Sequence, residues 1–154
     1  MRLWDGASGP HFFVEPGDVF GDEAVLRGEQ ARHLAVVLRA RRGDPVSLAD
    51  GTGARFRAVV DTAAPDEVRL RLLEQEMVRQ PRPAITVVHA LPKGRKLDDV
   101  VEKLSEVGAD ALVPVHSARS VVRLDAAKAD KARARWEAVA LAAAKQSRRA
   151  RPLR

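Results

Sequence analysis

The chain has 154 residues, 45% of them hydrophobic and 31% charged, a composition that supports a folded core and excludes general disorder. It has no cysteine, which removes disulfides, thiolate metal sites and thiol nucleophiles together. The formal net charge of +6 is unevenly placed: residues 1–83 hold 12 Lys/Arg against 13 Asp/Glu and residues 84–154 hold 15 against 8, so the whole excess lies in the later part. Such a surplus concentrates a polyanion; an arginine-rich compositional bias would give the same numbers, and charge alone leaves both readings open. With Asp5 near the start and no apolar run behind it, the N-terminus does not resemble a signal peptide. No stretch approaches the ~18 uninterrupted apolar residues of a spanning helix. The default expectation is a cytoplasmic protein without a membrane partner.

In chain order, HFFV (11–14) reads as a strand, and GEQARHLAVVLRARRGD follows with Ala31, Leu34, Val37 and Leu38 at helical spacing and Gly43 as a stop. PVSLAD runs into the turn Asp50-Gly51-Thr52-Gly53. The next run, ARFRAVVDT, sets Phe56, Ala58 and Val60 on one face and Arg55, Arg57 and Val59 on the other, a hairpin pattern. VRLRLLEQ alternates Val68, Leu70 and Leu72 with Arg69 and Arg71. Short strands, turns and one short helix in about 75 residues predict a small barrel over residues 1–78. RQPRPA, with two prolines, predicts a linker at 79–84.

The rhythm then changes over residues 85–154. AITVVHALP is a nearly continuous apolar run of the kind a strand buried on both faces shows. KLDDVVEKLSEVGA places Leu97, Val100, Val101, Leu104 and Val107 on one helical face, Asp98 and Asp99 in the first turn and Gly108 at the end. ALVPVHS predicts a second buried strand, and Lys128 to about Ser147 a second helix with Trp136, Val139, Ala140 and Ala143 on one side. Strand, helix, strand, helix is the opening of a parallel sheet, and two strands leave such a sheet incomplete. The fold class expected is α+β in two domains.

His11, His33, His89 and His116 lack metal-ligand spacing, so no metal site is expected. LPKGRK lacks the spacer of a P-loop, and Ser47, Ser105, Ser117, Ser120 and Ser147 lack a nucleophile-elbow context. Two basic clusters remain. Lys93, Arg95 and Lys96 follow the first buried strand at its carboxyl end, where ligands bind in open α/β sheets. Arg148, Arg149, Arg151 and Arg154 crowd the end of the second helix; helix capping would need one or two cations, and a polyanion accounts better for four. Beside them Gln146 offers a donor and an acceptor suited to a base edge.

These segments together resemble the RsmE-type ribosomal RNA methyltransferases of the SPOUT superfamily. The resemblance rests on HFFV, on HLAVVLRARRGDPVSLADG, on LPKGRKLDDVVEKLSEVGADALVPVHSARSVV and on LAAAKQSRRARP, four pieces in register over nearly the whole chain. It implies a PUA-like β-barrel that docks RNA, followed by the first part of a SPOUT trefoil-knot domain. It also implies S-adenosylmethionine as co-substrate, 16S ribosomal RNA of the small subunit as partner, methylation at N3 of a uracil, and a homodimer. The family's glycine-rich knot loop and later helix-start motif do not occur here, so the cofactor site is expected outside these residues and the 154-residue chain is expected to be inactive alone. By the same comparison Arg39, Lys93, Arg95, Lys96, Arg119, Gln146, Arg148 and Arg149 are candidate RNA contacts, with Gln146 and Lys93 candidates for the catalytic site. Catalysis there would need donors that stabilise the N3-deprotonated uracil and geometry that aligns it. The competing expectation is a non-catalytic RNA-binding protein that docks the same polyanion without chemistry.

Overall fold

Residues 9–80, 82–118 and 120–154 are described by a computed structural model, which divides into two units, Met1–Arg79 and Gln80–Arg154. In the first, the order is β1 (His11–Phe13), β2 (Val19–Phe20), β3 (Glu23–Arg27), α1 (Gly28–Arg32), β4 (Pro45–Ala49), β5 (Ala54–Ala63) and β6 (Glu67–Met77). They form one six-stranded sheet in the order β1-β4-β5-β6-β3-β2, with β1 parallel to β4 and the other pairs antiparallel. Alternation builds it: Phe56, Ala58, Val60, Val68 and Leu70 are buried in one core with Phe12, Leu26, Leu34 and Leu48. Burying each of the larger side chains contributes about 1.5–3 kcal/mol. Arg55 and Arg57 face outward and pair across the strands with Glu76 and Glu74. Two register shifts between β5 and β6, at Arg57/Ala58 and Val60/Thr62, are the bulges that let so long a hairpin bend around its core. In the turn between β4 and β5 the Asp50 carboxylate accepts from the backbone N–H groups of Thr52, Gly53 and Ala54 at 2.8–3.1 Å.

One expectation fails in the helix. Val37 and Leu38, placed by spacing on the core face with Ala31 and Leu34, are 64% and 45% exposed. After α1 the backbone widens into a π turn over His33–Val37, with Leu38 N–H donating to the His33 carbonyl at 2.9 Å, five residues back. The extra residue in the turn rotates Val37 and Leu38 away from the core.

The second unit runs β7 (Thr86–Ala90), α2 (Lys96–Val107), β8 (Ala111–Val115) and α3 (Ala126–Gln146). β7 and β8 pair in parallel with Val88 opposite Val113. Asp125 caps α3 by accepting from Lys128 N–H at 2.9 Å, and α2 ends at Gly108, whose φ of 92° needs a residue without Cβ. Val101, Ala109, Ala140 and Leu153 form the core, with Leu104, Leu112, Trp136 and Val139 packed against it. The apolar run of β7 was expected to be buried on both faces. The helices cover one face, and Val88 (65%) and Val113 (44%) remain exposed on the other. Past α3 the chain returns to the sheet: Arg154 N–H donates to the Asp110 carbonyl (3.1 Å) and Leu112 N–H donates to the Arg154 carbonyl (2.8 Å), the two bonds of a parallel bridge beside β8.

Candidate nucleic-acid interface

The carboxyl end of β7 leads into the loop 91–95, tied to the sheet by Leu91 N–H donating to the Val115 carbonyl at 3.0 Å. Lys93, Arg95 and Lys96 stand exposed on this loop and the first turn of α2. Below them lies Asp98, only 12% exposed, whose carboxylate accepts from Arg95 Nε at 3.0 Å, Arg135 Nε at 3.1 Å and Trp136 Nε1 at 3.1 Å. One carboxylate thus joins the loop to α3. Burial pushes the Asp98 carboxyl up, but the hydrogen bond from Arg95, the charges of Arg135 and Arg95 and the Trp136 indole outweigh it and hold its pKa below the ordinary carboxylate value.

The sign of the pH dependence follows. An Asp that titrates lower in the folded unit than the ~3.9 of the unfolded chain contributes stability in full above that value and loses it as pH falls through the folded one. Asp110 and Asp125 are lowered as well: Ile85 N–H and Gln80 donate to the first, Lys128 to the second. Urea unfolding monitored by Trp136 fluorescence in a Trp4→Phe background should show the second unit weakening below about pH 4, and Asp98→Asn should flatten that fall. An identical pH profile for the variant would remove Asp98 from this role.

The second cluster lies elsewhere. Gln146 is exposed at the last position of α3, and Arg148 follows, exposed, at φ 53°. Arg149 turns inward: its guanidinium donates to the Ser105 carbonyl at 3.0 Å and the Ala109 carbonyl at 2.8 Å, at the C-terminal end of α2. Burial lowers its pKa against the opposing pull of Asp110. Two of its donors are therefore spent inside the unit, which gives this residue a structural duty that the sequence expectation of an RNA contact did not contain. Lys93, Arg95 and Lys96 sit at the start of α2 and Arg149 at its end, and twelve helical residues span about 18 Å. The structure does not bring Lys93 and Gln146 into one catalytic pair. Arg39 is exposed in the other unit, at φ 53° just past the π turn. Arg119 lies outside the described residues. Among the described residues no group of three or more His, Asp and Glu side chains is placed to hold a metal ion.

Sequence reasoning missed Asp98 as the hub, reading it only as a first-turn acid. It also passed over Lys128, Lys131 and Arg135, whose steps of three and four mark one helical face and could have been found.

Residues 79–153 match the family model described as an RNA methyltransferase domain. The chain is 41% identical over 140 residues to ribosomal RNA small subunit methyltransferase E of Mycobacterium bovis, covering 91% of this chain and 53% of that protein. The Bacillus subtilis protein of the same name is 34% identical over 125 residues, covering 80% of this chain and 49% of that protein. The crystal structure of the Neisseria gonorrhoeae ribosomal RNA small subunit methyltransferase E bound to S-adenosyl methionine superposes with a TM-score of 0.79 at 30% identity, covering 94% of this chain and 60% of that one. The second unit is thus the part of this α+β chain that matches an RNA methyltransferase domain. More narrowly, the chain is similar over most of its residues to proteins named ribosomal RNA small subunit methyltransferase E, and it spans about half the length of the curated relatives it matches.

Proposed function

We propose that this chain serves in the S-adenosylmethionine-dependent methylation of N3 of a uracil in 16S ribosomal RNA. The first unit would be a PUA-like barrel that docks RNA, and the second the opening part of a SPOUT domain, in a cytoplasmic homodimer. The observation that carries the reading is 41% identity over 91% of the chain to a protein named for that class of activity. Among the described residues of the second unit, the glycines mark no site for the methyl donor. The glycines of the second unit, Gly94 and Gly108, are turn residues at which an added Cβ would meet open space, so neither marks a backbone cradle pressed against a ligand. The donor's site belongs on this reading to sequence outside residues 1–154.

What these residues would do is hold the RNA. Lys93, Arg95 and Lys96 at the carboxyl end of β7 are assigned to phosphates, with Arg39, Gln146 and Arg148 as further contacts. The target base must be single-stranded or unstacked to react at N3, and donors aimed at its two flanking carbonyl oxygens would stabilise the anion left when the N3 proton departs. The test is nucleoside mass spectrometry of small-subunit RNA incubated with isotopically labelled S-adenosylmethionine, using the 154-residue chain and a form extended to the length of the relatives. N3-methyluridine from the extended form alone is the expected result. Methyl on another atom, or none from either form, would overturn the proposal.

A further inference from the structure

Between the loop 91–95 and the first half of α3 lies a groove of about 520 Å³. Its floor is apolar, built from Leu97, Val122, Leu124 and Trp136, and its rim is cationic, with Lys128, Lys131 and Arg135. The approach to α3 explains the floor: in the stretch 121–125 alternate residues Val122 and Leu124 turn in, while Val121, Arg123 and Asp125 are exposed. The helix explains the rim, because residues three and four apart share one face with Cβ atoms about 5–6 Å apart. Three cations and no carboxylate line this groove among the described residues. Lys128 is held by Asp125 and Arg135 by Asp98, whereas Lys131 has no carboxylate partner among them.

We infer that this groove binds a segment of single-stranded RNA, with successive phosphates on Lys128, Lys131 and Arg135 and a base against the apolar floor at Trp136. Charge complementarity selects the occupant: a rim of one sign over an apolar floor with an aromatic ring suits a chain of phosphates carrying flat bases that stack on such a ring. The inference rests on the reading of the chain as part of an RNA methyltransferase and sharpens it. It puts α3's N-terminal half beside the Lys93 loop, on the same side of the sheet, and takes the main RNA track away from the QSRR cluster at the other end of α2.

Fluorescein-labelled decauridylate titrated into the 154-residue chain at several salt concentrations tests it, with a small-subunit RNA fragment as the second probe. The Lys128→Gln/Lys131→Gln double variant changes only exposed side chains. It is expected to weaken decauridylate binding at least tenfold at low salt and to reduce the slope of log affinity against log salt by about 1.4, since each single-strand phosphate contact contributes roughly 0.7. In a Trp4→Phe background, Trp136 emission should be quenched as the RNA binds. An unchanged slope and unquenched Trp136, with the ribosomal fragment still bound, would overturn the groove while leaving the RNA reading intact. Failure of both RNAs to bind the unaltered chain would overturn both. Equal competition by oligoglutamate would show an acidic-peptide groove and overturn the assignment to RNA.

Discussion

Arg149→Ala is expected to lower the stability of the Gln80–Arg154 unit by about 3 kcal/mol. The last carbonyls of a helix have no partner within it. At the end of α2 the Gly108 and Ala109 N–H groups reach the Ser105 and Leu104 carbonyls, and Arg149 supplies two further donors, to Ser105 and Ala109. Ser105 is fully buried, so its carbonyl would have little access to water once the guanidinium is gone. Each hydrogen bond from a charged donor is worth about 1.5–3 kcal/mol, discounted here because the guanidinium is only half-buried. The two carbonyls lie 44 and 40 residues from Arg149 in the chain, so the same side chain ties the segment after α3 to the far end of α2. Arg149→Lys should recover only part of the loss, since an ammonium cannot reproduce the planar fork. Urea midpoints read from Trp136 fluorescence measure it, and a loss under about 0.5 kcal/mol would show that the clamp is ornamental.

Leu70→Ala should cost the first unit about 3–4 kcal/mol. Leu70 is 1% exposed and sits on the strand with neighbours on both sides, opposite Val60 of β5 and Ala24 of β3. Truncation leaves a cavity that three hydrogen-bonded strands cannot readily collapse into. Leu73→Ala, at a position 46% exposed, is the control and should stay within about 0.5 kcal/mol. Amide hydrogen exchange in β5 and β6 distinguishes the two, with protection falling in the first variant and holding in the second. Equal protection in both would mean that the core does not limit opening of this sheet.

The α+β class and most of the strands and helices were readable in the chain because they depend on short-range alternation. Phe56, Ala58 and Val60, or Leu97 and Val101, declare their faces by spacing alone. The π turn at His33–Val37 was not readable: it differs from an α-helix by one residue per turn, which leaves no mark on composition. Nor was the exposure of Val88, since an apolar run cannot say how many layers lie over it. Arg149 looked like one more cation in a run of arginines because its partners are remote in sequence. The separation of the two basic clusters was available in principle. In a strand, helix, strand, helix unit with parallel strands, every helix begins at one end of the sheet and finishes at the other, so Lys93 and Gln146 had to part. The hub at Asp98 needed tertiary geometry, although its spacing from Arg95 hinted at half of it.

Arg39 and Arg148 share a backbone geometry, each at φ 53° directly behind a helix, and they are the only non-glycine residues with positive φ among those described. A left-handed position disfavours any side chain with a Cβ, by about 1 kcal/mol against glycine. Glycine substitution at either site would therefore delete a cation while relaxing the main chain, so a loss of function in a variant that has become sturdier could be charged to the missing cationic side chain and not to a damaged turn. Alanine scanning would blur that distinction at these two arginines.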